Sequence, residues 1–427
     1  MQKKNKNRIK HSKLSNGMEL ITERLPSYRS VAFSVWLKAG SRYENAEQNG
    51  ISHFIEHLIF KGTEELNALE ISQRVDDMGG TINAFTSREE ISFYIKLLDT
   101  QIDREIDLLS DIVLHPAFRK PDIELERMVI LEEIRMLEDN PEDSVIDFYF
   151  QNFYPDHPLG RPVQGKIDSV SKLNRKKIKA YYENALMPEK IVIAAAGNLK
   201  HEKILERIQK IFSDLDRTGV RNKLSPPKSK SINSIKTRPQ LEQVRFVMGR
   251  DGVPITDDDR YAATLLSTLL GGNSSSRLFQ KVREERGLVY DISSVSLSFQ
   301  DCGIFGIAAG CQPKSIPELM KIINTELRNL TQTPPSAEEL TRLKNFVKGN
   351  MMLSLESSSA RMTRLAKQII HYGRYFTLDE MLEKIDRITC DDLFRIANKI
   401  LKGRWSMAVI QPESSPKIDP ELLNING

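Results

Sequence analysis

The chain has 427 residues, 40% of them hydrophobic, which is enough for packed cores and, at roughly 150 residues per domain, for two or three domains. Its 62 Lys and Arg against 58 Asp and Glu leave a net charge of +4, too thinly spread for the basic stripe that tracks phosphates, which argues against nucleic acid as a partner. The three cysteines, Cys302, Cys311 and Cys390, are odd in number, widely spaced and without a CxxC pair, which argues against a disulfide framework or a thiolate metal site and fits a reducing compartment.

In chain order, the start MQKKNKNRIKHSKL is Lys/Asn-rich and no apolar h-region follows it, so neither a secretory leader nor an Arg/Ser-rich presequence is expected. No apolar run approaches the ~20 residues that cross a bilayer, and the expected location is cytoplasmic, away from membranes. Val31 to Leu37 (VAFSVWL) reads as a strand and leads through a polar turn to a helical apolar run, GISHFIEHLIF, from Gly50 to Phe60. Strand-like ISFYIKLL from Ile91, amphipathic helices and strand-like IVIAAAG from Ile191 follow. Residues 218–240, with Pro-Pro, many Lys and Ser and almost no apolar periodicity, have the composition of an exposed linker.

Beyond the linker the order repeats. Val244 to Met248 (VRFVM) leads to a helical YAATLLSTLLGG, then come CGIFGIAAG from Cys302, more amphipathic helices and WSMAVI from Trp405. Gly271 and Gly272 before Asn273 lack a following G-K-[ST] and read as a helix-ending turn, not a phosphate loop. The expectation is an α+β protein of two related domains, each an antiparallel sheet packed against helices: residues 1–217, the linker 218–240, and residues 241–427.

The two halves differ in chemistry. On the helix Gly50 to Phe60, His53, Glu56 and His57 fall at i, i+3 and i+4 on one narrow face, while Ile51, Phe54, Ile55, Leu58 and Ile59 cover the rest. A helix apolar nearly all round is buried, and two imidazoles with a carboxylate on one buried stripe need a compensating partner. A divalent metal supplies it, because histidines four apart can chelate zinc and the glutamate between them can activate an attacking water. The second-half counterpart YAATLLSTLLGG has no such residues.

A third ligand is required, and the helical stretch Glu124 to Glu138 (ELERMVILEEIRMLE) offers one. Taking Glu126 as 0° at 100° per residue, Val129, Ile130, Ile134, Met136 and Leu137 span about −80° to +80°, with Glu133 near −20° inside that arc. Glu132 points instead to the polar side with Arg135 and Glu138. Glu133 is therefore expected as the metal ligand and Glu126 as an auxiliary carboxylate behind it.

The order H-x-x-E-H is the inverted form of the commoner zinc-protease motif, and Glu133 lies 76 positions (133 − 57) after His57. With AGSRYENAEQNGISHFIEHLIFKGT, GGTINAFTSREEISFY, HPLGRPVQG and SSSRLFQKVREERGLVYDI, the chain resembles the pitrilysin/insulinase (inverzincin) metallopeptidases over nearly its whole length. Those segments are similar to the short members, which include the catalytic subunit of the mitochondrial processing peptidase and its bacterial relatives. That resemblance implies two related α+β domains, one Zn2+ per chain on His53, His57 and Glu133, and Glu56 as general base. It implies cleavage of peptides or unfolded segments in a chamber closed by two chains, here a homodimer. By the same resemblance, Arg283 and Tyr290 match an Arg/Tyr pair that contacts the substrate backbone and steadies the tetrahedral intermediate. Asn83, Ala84 and Phe85 match an edge strand to which substrates add. Some members of the family have lost the metal and act as structural or substrate-presenting subunits, so a non-catalytic role is the alternative.

Overall fold

The structure is a computed structural model that describes residues 8–215 and 224–425. The first seven residues of the Lys/Asn-rich start and residues 218–223 of the expected linker lie outside the described part.

The first half contains β1 (Ile9–Lys13), β2 (Glu19–Arg24), β3 (Ser30–Leu37), α1 (Ile51–Leu58), α2 (Ala68–Asp77), β4 (Thr81–Thr86) and β5 (Ile91–Leu98). These are followed by α3 (Ile102–Leu114), α4 (Lys120–Asp139), α5 (Pro141–Phe153), α6 (Ile167–Ser171), α7 (Arg175–Ala185), β6 (Ile191–Gly197) and α8 (His201–Ile211). The second half contains β7 (Asn233–Thr237), β8 (Val244–Asp251), α9 (Asp259–Gly271), β9 (Val289–Ser298), β10 (Gly303–Cys311) and α10 (Ile316–Gln332). It ends with α11 (Ala337–Ser354), α12 (Ser358–Tyr372), α13 (Leu378–Asp386), α14 (Cys390–Leu401), β11 (Gly403–Arg404), β12 (Ser406–Gln411) and β13 (Asn424–Ile425).

These elements form two compact units that interleave along the sequence. One holds residues 8–135, 161–215 and 353–375; the other holds 136–160, 224–352 and 376–425. The first unit is built on a six-stranded sheet of order β1-β2-β6-β3-β5-β4. The α1 helix and α3, α7 and α8 share the larger core on one face, with Phe33, Val35, Ile55, Leu109 and Ile193 among its buried members. On the other face α12 lays Met362, Leu365, Ala366 and Ile369 against Ala32, Trp36, Val192 and Ala194. Cover on both faces explains why Val31 to Leu37, interrupted only by Ser34, and all of β6 read as nearly continuous apolar runs, since neither face of those strands meets water.

The second unit repeats the plan with a five-stranded sheet, β7-β12-β8-β10-β9. The α9, α10 and α14 helices cover one face, and α5, from the first half of the sequence, brings Tyr149, Phe150 and Phe153 to Ile304 and Ala408 on the other. Each sheet thus takes one covering helix from the opposite half of the chain. The fold is α+β as expected, but the sheets are mixed: β2 runs parallel to β6, and β7 parallel to β12. Within residues 218–240, Asn233–Thr237 is the edge strand β7, almost wholly solvent-facing, so it carries no apolar alternation that the sequence could display. Gly272 ends α9 in a turn. None of Cys302, Cys311 and Cys390 is in a disulfide, and among the described residues no helix is long and apolar enough to cross a membrane.

Candidate metal centre

The α1 helix is only eight residues long, so its orientation depends on what holds its ends. Gly50 precedes it with φ 94°, and a Cβ there would come within 2.7 Å of the Gln164 carbonyl oxygen, so backbone conformation and space both demand glycine. The buried Glu44 carboxylate accepts hydrogen bonds from the backbone N–H of Gly50 (2.8 Å) and Ser52 (2.9 Å) and from Asn49 Nδ2 (3.1 Å). It serves the amide-rich start of α1 as an N-cap side chain would. Burial pushes the Glu44 carboxyl up, and the Ser52 and Gly50 amides oppose that. Ile51, Phe54, Ile55 and Leu58 enter the core, which leaves His53, Glu56 and His57 on the opposite stripe.

The structure brings the three expected ligands together. His53 Nε2 lies 3.7 Å from Glu133 Oε1, and His57 Nε2 lies 3.4 Å from Glu133 Oε2. The imidazoles meet edge to face with centroids 4.7 Å apart, and the three residues can each present a ligand atom within 4.8 Å of the others. Zinc at about 2.0–2.1 Å from each donor of a tetrahedral set holds those donors about 3.3 Å apart, close to the spacing found. The donor set therefore fits zinc. His57 Nδ1 donates to Glu126 Oε2 at 3.1 Å, which orients the ring so that Nε2 faces Glu133. His53 Nδ1 is buried with no hydrogen-bond partner among the described residues.

The electrostatics agree with a site prepared for a cation. Burial and the neighbouring His57 push His53 down, toward the neutral form that ligates. For His57, burial acts downward, but the hydrogen bonds to Glu133 and Glu126 outweigh it and the net shift is upward. Glu133 is held below the usual carboxylate range chiefly by its hydrogen bond to His57.

Glu133 is partly open, with 40% of its side chain exposed. The buried face of α4 is made by Ile123, Glu126, Ile130 and Ile134, while Val129 and Met136 are exposed. The apolar arc expected from the sequence is thus rotated toward Ile134 and away from Val129 and Met136. Glu133 sits on the rim of that arc, where a ligand to an accessible metal belongs. Glu132 is exposed and accepts a hydrogen bond from Arg135 at 2.9 Å.

Glu56 is half-buried on the metal side of α1, makes no hydrogen bond or ion pair among the described residues, and acts electrostatically on His53. Asn83, Ala84 and Phe85 lie in β4, the edge strand of the first sheet, beside α1. Asn83 is exposed and its Oδ1 accepts the Ala84 N–H at 2.8 Å. Ala84 is buried in the α1-side core, and Phe85 faces the other way, edge-on to Trp36 at 5.2 Å. Arg283 and Tyr290 belong to the second unit, where they meet each other. The Arg283 guanidinium lies 5.1 Å from the Tyr290 ring and 4.8 Å from that of Phe279, and Tyr290 is 80% exposed. Arg283 sits in a π-helical turn, Phe279–Glu284, that local propensity does not signal.

Two contributors escaped the sequence reading. Glu44 gives no signal, because the turn that returns it to the start of α1 is not periodic. Lys61 donates to Glu126 Oε1 at 2.6 Å, and its spacing of one helical turn after His57 was available as a clue.

Together, fold and site define a two-unit α+β protein with a three-residue constellation for a metal in its first unit. Comparison with known proteins places that class. Residues 19–166 match the family model Insulinase (Peptidase family M16), and residues 172–347 match the model Peptidase M16 inactive domain. An uncharacterized zinc protease of Streptomyces coelicolor is 37% identical over 95% of this chain and 90% of its own length. The uncharacterized zinc protease YmxG of Bacillus subtilis is 33% identical over 95% of this chain and 99% of its own. The crystal structure of a protease from Helicobacter pylori superposes with a TM-score of 0.88 at 24% identity, covering 95% of this chain and 99% of that one, which shows the shared fold. The chain belongs to the insulinase family, peptidase family M16.

Proposed function

We propose that the chain is a zinc-dependent endopeptidase or oligopeptidase that hydrolyses peptides and unfolded segments. The observation that carries this reading is the convergence of His53 Nε2, His57 Nε2 and the Glu133 carboxylate in the stretch matched by the insulinase model. The name zinc protease borne by several relatives supports it. Zinc held there supplies Lewis acidity, polarising a peptide carbonyl and lowering the pKa of a water to about 7.

The protein's own groups do the rest. Glu56, without a competing partner, accepts the proton of the attacking water and later delivers it to the leaving amine. Glu126 holds the His57 ring in place through Nδ1. The free edge of β4 offers main-chain groups to an extended substrate, which gives affinity with little demand on side chains. The exposed Tyr290 hydroxyl and its Arg283 neighbour are suited to hydrogen-bond the substrate backbone and the oxyanion that develops on the carbonyl. We read the working form as a cytoplasmic homodimer in which Tyr290 of one chain serves the partner's metal centre; three cysteines without a disulfide are compatible with that compartment. The alternative, a non-catalytic subunit, draws on the model described as inactive, but that match spans residues 172–347 and includes none of His53, Glu56, His57 or Glu133.

The test is incubation of the purified protein with a random peptide mixture, with and without a chelator. Cleavage that the chelator abolishes and added zinc restores is expected. No cleavage by zinc-loaded protein, or cleavage indifferent to the chelator, would refute the reading.

A further inference from the structure

The α1 helix passes into a 3-10 turn, Ile59–Lys61, and the segment after it is held firmly. Gly62 has φ 143° and a Cβ there would come within 2.6 Å of the Leu66 carbonyl oxygen. Thr63 N–H donates to that same Leu66 oxygen at 2.8 Å, and Arg119 Nη2 donates to the Thr63 carbonyl at 2.8 Å. The turn directs Lys61 back under α4. There its ammonium donates to Glu126 Oε1 at 2.6 Å, while the other oxygen of the same carboxylate accepts from His57 Nδ1 at 3.1 Å.

We propose that Lys61 is a positioning residue for the metal centre, acting through Glu126 to keep His57 with its proton on Nδ1 and Nε2 free to ligate. The inference rests on reading His57 as a ligand. Glu126 is only 4% exposed, and a carboxylate so buried is poorly compensated by one imidazole N–H alone. Lys61 supplies the missing charge at little desolvation cost, since its own side chain stays 35% exposed. Without the ammonium, half of the carboxylate has no donor and is free to turn from His57. The imidazole then samples the tautomer with its proton on Nε2, which cannot ligate through the nitrogen that faces Glu133.

The experiment measures zinc dissociation constants by competition with a chromogenic chelator, alongside the melting temperature of the metal-free protein. It uses the full chain and the variants Lys61→Met, Lys61→Arg, Glu126→Gln and the double variant Lys61→Met/Glu126→Gln. Lys61→Met is expected to weaken zinc binding by about 10–100-fold, the usual effect of losing support behind a ligand. Lys61→Arg should stay within about threefold of the unmodified chain, because the cation is kept. In the Glu126→Gln background, Lys61→Met should change affinity by less than about twofold, since the coupling passes through that carboxylate. Unaltered affinity in Lys61→Met, or an equal loss with and without Glu126, overturns the proposal. Should Lys61→Met fail to fold, Lys61→Gln carries the same comparison. Failure of the unmodified chain to bind zinc would instead overturn the functional reading itself, so the two failures are distinguishable.

Discussion

Replacing Glu133 by Gln, with Glu132→Gln as its neighbour control, separates a ligand from a surface charge at adjacent positions of one helix. Glu133 faces both imidazoles, at 3.7 and 3.4 Å, whereas Glu132 meets Arg135 on the exposed side. Zinc held by four ligands in structural sites is bound with about 10–16 kcal/mol, or roughly 2.5–4 kcal/mol per ligand. Losing the Glu133 charge should therefore raise the zinc dissociation constant by about 10²–10³-fold. An exposed pair such as Glu132–Arg135 contributes about 0–1 kcal/mol to stability and nothing to the metal, so that variant should match the parent. Chelator competition on the two variants, prepared side by side, gives both constants. Equal constants, or the greater loss in Glu132→Gln, would refute the assignment of Glu133 and the helical phase behind it.

Glu90→Gln tests the hold of α12 on the first sheet. His371 donates to Glu90 at 3.0 Å and Lys367 lies 3.3 Å away; burial acts upward on the Glu90 carboxyl, but these partners hold it below the usual 4.5. That stability exists above the unfolded pKa and is lost as pH falls through the folded one, so denaturation at pH 7 should show a loss of about 3 kcal/mol that shrinks as pH falls below the usual 4.5. A loss independent of pH would contradict it. Glu105 on α3 presents the opposite sign. Burial pushes its carboxyl well up, the nearby Phe33 amide offsets only part of that, and stability should fall as pH rises above about 4.5. Glu105→Met should raise the melting temperature, more at pH 8 than at pH 5, and a pH-independent or negative change would count against the account. For the shared site of the proposed homodimer, mixing Glu56→Gln with Tyr290→Phe under verified subunit exchange should restore part of the activity that each lacks. A mixture as inactive as its parents would contradict it.

The constellation of His53, His57 and Glu133 was legible because chelation imposes spacing on a helix. His53 and His57 are one turn apart, and Glu133 is the carboxylate whose phase joins it to a buried stripe. The phase held for Glu126, but it set Glu133 too deep and was too generous to Val129 and Met136, since hydropathy records what a residue tolerates and not whether a neighbour covers it. The central strands were readable for the same reason in reverse, being sealed on both faces. What stayed hidden was tertiary. An amphipathic pattern shows that α5 and α12 need apolar cover but not that each finds it on the sheet of the other half of the chain. The exposed edge strand β7 has no pattern at all, and Glu44 and Lys61 act through turns whose direction is set by Gly50 and Gly62.

The most direct test takes zinc content and peptide cleavage from the same preparations of the unmodified chain and of Glu56→Gln. Glu56 approaches the site without being one of the three converging donors, so the variant should keep one zinc per chain and lose nearly all turnover. Loss of zinc from Glu56→Gln would make Glu56 a ligand, and full turnover in a zinc-loaded variant would remove it from the chemistry.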